Sequence, residues 1–138
     1  MAKYHDTGIA DVSFTADADL TAKQYYFVTV ASTAGNVKVA DGASNGTPLG
    51  VLQNSPSAGE AARVRVLGFT KLVVENGTCT LAFGRFGFCA SDGQGEMVTV
   101  ATSPINFRYL GANLTAAGCS IGEALLLTGF GACGLAAS

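Results

Sequence analysis

The chain has 138 residues, 13% charged and 49% apolar, with eight Lys and Arg against ten Asp and Glu and a formal charge of −2. That length fits one domain, so apolar a composition excludes disorder, and the clustered excess cations that nucleic-acid binding needs are missing. A single histidine, His5, leaves little room for hydrolytic or metal chemistry, so no catalytic, cofactor or metal residue is assigned.

In chain order, residues 1–11 are mixed and polar and read as an extended N-terminal arm, with Lys3, Tyr4 and His5 at its centre. No apolar core follows Lys3, so the expectation is cytoplasmic synthesis, without a secretory signal. The longest apolar run, Ala124–Leu127, is far short of the roughly 18 residues that a membrane span requires, and no membrane partner is expected. Asp17 and Asp19 read as a solvated loop, lacking the further acids of a calcium site.

The β-branched and aromatic runs come next. Gln24–Val30, Val37–Val39, Arg63–Leu67, Lys71–Val74 and Glu96–Val100 read as strands, and Arg63–Leu67 alternates as a strand with one buried face should. Asp41-Gly42, Asn45-Gly46, Asn76-Gly77 and Asp92-Gly93 read as turns, because Asn-Gly and Asp-Gly tolerate positive φ. Gly93-Gln94-Gly95 lacks the third glycine of a dinucleotide loop and fits a hairpin turn instead. Three Asn-x-Thr triplets, at Asn45, Asn76 and Asn113, likewise read as turns. The eighteen glycines argue against long helices. Ser120–Thr128 is the best helix candidate, and the repeat described next makes it a strand.

Sliding the chain by about 61 residues places Leu20 on Leu81, Phe27 on Phe88, Val37–Ala40 on Val98–Ala101 and Leu49-Gly50 on Leu110-Gly111. It also places Val64–Val66 on Leu125–Leu127 and Gly68-Phe69 on Gly129-Phe130. The expected fold is therefore all-β: a small closed barrel or sandwich of two related units. The single β domain would span 12–138, with half-repeats at about 12–75 and 76–132. Cys79, Cys89, Cys119 and Cys133 sit among small apolar residues at spacings that build no zinc knuckle, and all four are expected to be reduced.

The densest aromatic stretch holds Leu81, Phe83, Phe86 and Phe88 around Arg85. Phe83 differs in parity from Phe86 and Phe88, so either this strand is buried on both sides or one face meets another subunit, where aromatics and arginine are enriched. Phe83, Arg85, Phe86 and Phe88, with Lys3, Tyr4 and His5, are the candidate contact residues.

The segments Ala18–Tyr26, Leu49–Asn54 and Ser57–Gly68, with Thr70-Lys71, resemble the small capsid decoration, or cement, proteins of tailed bacteriophages and prophages. The resemblance is good over 12–75 and weaker beyond, where Tyr109–Ala112 looks like the family's second turn. It implies a non-enzymatic β-protein on the outer capsid surface of the virion, with the major capsid protein and further copies of itself, often three, as partners. Phe83–Phe88 and the tail 129–138 depart from the pattern. A β-sandwich module binding host glycans is the alternative.

Overall fold

In the computed structural model the described residues are 9–41, 48–75, 82–98, 105–111 and 119–127. They form nine strands and no helix: β1 (Ala10–Ala16), β2 (Phe27–Val30), β3 (Asn36–Val39), β4 (Gly50–Leu52), β5 (Ala61–Glu75), β6 (Phe86–Cys89), β7 (Gly95–Met97), β8 (Phe107–Tyr109) and β9 (Cys119–Leu126). The expected all-β class is what the chain adopts. Ser120–Thr128 resolves as strand as far as Leu126, and Gly93-Gln94-Gly95 lies at the turn of the β6–β7 hairpin, where Ala90 N–H donates to Gln94 O at 2.8 Å.

Two circuits of pairing organise the strands. β1 pairs with β3, β3 with β2, β2 with β4, β4 with β5, and β5 returns to β1. The same route runs from β5 through β7, β6, β8 and β9 back to β5. In each circuit one contact alone is parallel, Ala16 beside Val37 in the first and Val74 beside Gly95 in the second. The shared fifteen-residue β5 gives its first part to β1 and its second, from Gly68, to β9.

Arg63–Leu67 and Lys71–Val74, expected as two strands, are therefore one. Gly68 reads as a break in sequence, but its φ of 100° is a bend that a side chain would resist, set just past the register shift opposite Ala10 and Asp11. The strand changes partner there without ending. Matching the circuits takes Val28 to Gly87, Val37 to Gly95, Val51 to Arg108 and Arg65 to Leu125. The separation changes from strand to strand, so the gap-free slide of 61 residues displaces each strand by one to four positions. Asn76-Gly77, where the halves were expected to meet, lies outside the described residues, and β1 begins within the stretch read as an arm.

Burial follows the period of two. Ala62, Val64, Thr70, Leu72 and Val74 of β5 are buried, while Ala61, Arg63, Leu67 and Lys71 are exposed. Ala16, Leu20, Val28, Val37, Leu52, Ala62 and Val64 form the core of the first circuit. The larger core holds Leu72, Val74, Cys89, Met97, Phe107, Tyr109, Ala124 and Leu126, and it takes Phe27 and Val51 from the first circuit as well. Phe27–Thr29 of β2 and the whole of β4 are thus buried on both faces, and the outer side of the first unit closes the inside of the second. Phe27 and Phe107 rings lie 5.9 Å apart across this junction. Phe27 N–H donates to Gly93 O at 2.8 Å, Val73 N–H to Tyr25 O at 2.9 Å, and buried Gln53 Nε2 to Thr70 Oγ1 at 2.8 Å. A buried amide needs such partners, since leaving one unpaired costs about 1–3 kcal/mol. Cys89 is buried, its Sγ donating to Ala90 O at 3.3 Å; Cys79, Cys133 and the Cys119 side chain lie outside what is described.

Candidate functional site

The aromatic stretch is not buried on both sides. Gly87 and Cys89 take the inward positions of β6, and Phe86 and Phe88 share the outer face. The cause is Phe107: its ring fills the space over Gly87, where a side chain on β6 would collide with it. Phe83 precedes the strand, on a turn in which Gly84 N–H donates to Tyr109 O at 2.7 Å and Arg108 Nε–H to Gly84 O at 3.0 Å. The turn resolves the parity conflict, because Phe83 lies outside the strand's alternation and its side chain is exposed.

The result is an exposed surface. Phe83 is 68% accessible and Phe86 43%. The Arg108 guanidinium lies 5.2 Å from the centre of the Phe86 ring, a cation–π arrangement that holds both side chains outside. Arg85 Nη2 reaches Val98 O at 3.3 Å, and Phe88, half-buried, stands opposite Glu96. Phe86 and Phe88 thus share the outer face of β6, and exposed Phe83 and Arg85 lie just before that strand. Lys3, Tyr4 and His5 lie outside the described residues.

This surface continues around the second circuit. Phe86 pairs laterally with Arg108, Arg108 with Leu125, and Leu125 with Phe69. Beyond Phe69 the outer positions of β5 and β9 are Lys71 beside Glu123 and Val73 beside Ile121, with Leu67 at the near end. Ile121 is 60% exposed and Leu67 45%. Reading the sequence by its turns missed Arg108, Phe69, Leu125, Leu67 and Ile121. The odd-numbered apolar positions of 67–73 carried that signal, hidden because 120–128 was ambiguous between helix and strand.

Electrostatics separate the two units. On the first, Arg65 donates to both Asp11 oxygens at 2.7 and 3.1 Å, and Arg63 stands 3.7 Å away. These hydrogen bonds, with the two cationic charges, hold the Asp11 carboxyl below its ordinary value against a smaller opposing effect of burial. On the second, burial pushes the Glu96 carboxyl up, and the charges of Glu75 and Asp92 push it further. Burial, with the Glu123 charge, also raises the Tyr109 phenol. Asp17 and Asp19 are exposed and engaged locally, Asp17 accepting from Asn36 Nδ2 at 2.9 Å and Asp19 from Thr21 N–H at 3.0 Å. Among the described residues no three His, Cys, Asp or Glu side chains cluster as metal ligands. What this arrangement offers is contact: flat aromatic and aliphatic groups interleaved with guanidinium groups.

No protein-family model matches the chain, and no curated protein matches its sequence. A solved structure does match in fold. The chain is similar to a phage head fiber base. The likeness is to the crystal structure of the head fiber gp8.5 N base of bacteriophage phi29, with a TM-score of 0.60 over 86% of this chain and 93% of that one. At 11% identity the likeness concerns the fold. It covers both circuits, whereas the sequence resemblance to capsid decoration proteins is strongest over the first.

Proposed function

We propose that the chain is a structural virion protein of a bacteriophage, one that decorates and stabilises the capsid by binding the outer shell as a homo-oligomer. The observation that carries the reading is the fold shared, over nearly the whole of both chains, with a phage head fiber base. The exposed surface supports it, since a role made of contact needs apolar area in reach of a partner. Phe83 and Phe86 with Arg85 and Arg108 have the composition of a protein interface, enriched in aromatic residues and arginine. In this reading they meet the major capsid protein, and the segment around Lys3, Tyr4 and His5 adds a second anchor. The protein works by burying area and catalyses nothing.

The test uses shells of the parent virus assembled without the protein. Purified chain should co-sediment with them and raise the temperature at which they come apart. Phe83→Ser/Phe86→Ser should lose most of that binding while remaining folded, and removal of residues 2–10 should weaken it. Wild-type protein that leaves the shells untouched refutes the reading.

A further inference from the structure

We infer that the outer face of β5 and β9 is where copies of this chain meet, packed about an axis running along those two strands. The inference rests on the homo-oligomeric reading above and names the surface that makes the oligomer. Its starting point is a comparison within the molecule. The β1–β5 and β5–β9 ladders occupy the same place in their circuits, anchored by the parallel contacts at Ala16 and Val74. Counted from those anchors, Asp11 beside Arg65 corresponds to Phe69 beside Leu125. Ser13 beside Arg63 corresponds to Lys71 beside Glu123, and Thr15 beside Ala61 to Val73 beside Ile121.

One template therefore carries two different outer faces. In the first unit it is polar and closed by the Asp11–Arg65 ion pair, as a face in water should be. In the second it is apolar at Phe69, Val73, Ile121 and Leu125, with one charge of each sign at its middle, and exposed Leu67 adjoins it from the end of the β1–β5 ladder. Among the described residues strand pairing does not require that difference, because the polar version pairs its strands as well. Contiguous apolar surface on a small protein marks an interaction site.

The charges select the occupant and its orientation. Lys71 lies on one strand and Glu123 on the other, level with each other. Rotating a copy about an axis parallel to the strands keeps that level and exchanges the sides. Lys71 then meets the neighbour's Glu123, Phe69 its Leu125 and Val73 its Ile121. This holds for a pair of faces or for three around a common axis. An axis across the strands would instead set Lys71 against Lys71, which like-charge repulsion disfavours. A second copy thus satisfies both the apolar rows and the charges between them.

The experiment is light scattering on the full chain, with circular dichroism to check the fold. Lys71→Glu makes a face with two acids at this level, and Glu123→Lys a face with two bases. Each alone should lose the oligomer at concentrations where the wild type is associated. Mixed in equal amounts they should reassociate, because acid again meets base at the contact of a mixed pair and at two of the three contacts of a mixed trimer, although positions 71 and 123 are like-charged within each chain. A wild-type monomer, single variants that associate like the wild type, or a mixture that stays dissociated each overturns the inference. If a variant unfolds, the native chain decides. Equal parts of ¹⁵N-labelled and unlabelled protein, treated with a carbodiimide, should yield a Lys71–Glu123 amide joining a heavy chain to a light one, and its absence is a refutation. A monomer that still binds shells would overturn this contact and leave the decoration reading standing; an oligomer that binds no shell would do the reverse.

Discussion

Gly87→Ala tests how the second unit keeps its aromatics outside. Gly87 has ordinary backbone angles, so alanine would gain about 0.4–1 kcal/mol from a less flexible unfolded chain if the space were open. The space is not open. The added methyl would meet the edge of the Phe107 ring and stand 2.6 Å from Glu96 O. The ring cannot retreat easily, since Phe107 is fully buried, touches Phe27 across the unit junction and leaves only 3.0 Å to a methyl at Gly95. Overpacking of this kind costs about 1–3 kcal/mol, more than the entropic gain, so the net effect is destabilising. Urea denaturation followed by fluorescence or circular dichroism reads it as a lower midpoint at unchanged slope. The control is Gly59→Ala, which has nothing within 4 Å and suffers only from its φ of 82°. Phe107→Leu removes the colliding edge, so the double variant should be more stable than the two single effects predict, by about 0.5–3 kcal/mol. Strict additivity would show that the ring is not the obstacle and would sink the argument.

Three further outcomes follow from the same geometry. Asp11 has a depressed carboxyl, so its contribution is present above the ordinary value of 3.8 and fades as pH falls through the lowered one. Asp11→Asn should cost about 1 kcal/mol at pH 7 and converge with the wild type at acid pH; parallel curves at every pH would contradict this. Glu96 has the opposite sign: its raised carboxyl favours the folded state more as pH falls, so Glu96→Gln should raise the urea midpoint at pH 7 and lose that advantage on acidification. Phe83→Ser should change folding stability by no more than about 0.5 kcal/mol, because its side chain is exposed, and Phe86→Ser should cost about 0.5–1 kcal/mol for the lost Arg108 contact; a larger loss would mean that the surface serves the fold.

The sequence is legible where one physical rule acts alone. Val37–Val39 and Arg63–Leu67 alternate because one face is wet, and they are strands where expected. β4 and β8 are three residues each, too short to show a period, and they were missed. The repeat was visible as a rhythm of glycines and valines, yet its register was not, since the slide without gaps could not follow connections of unequal length. Phe27 illustrates the cost: the slide puts it on Phe88, whereas the pairing puts it on Phe86. Phe83, Arg85 and Phe86 were singled out by composition alone, and they are exposed. Arg108 was not, because only the cross-strand neighbour at Phe86 gives it meaning.

That correspondence bears on why a duplicated unit ends in an open surface. Phe27 and Val51 of the first unit are fully buried because the second unit lies over them. Their counterparts in the second unit are Phe86 and Arg108, and no third unit follows among the described residues to cover them. A repeat that buries its outer face only against the next copy leaves its last face unpaired. Evolution has two ways to deal with such a face, to make it polar or to give it a partner. Arg108 stacked on Phe86 goes part of the way toward the first, while Phe83, held out on its turn, enlarges the apolar area instead of hiding it. Together with the β5–β9 ladder, this leaves the second unit with exposed aromatic and aliphatic groups on its outside, whereas the outer face of the β1–β5 ladder carries the Asp11–Arg65 pair.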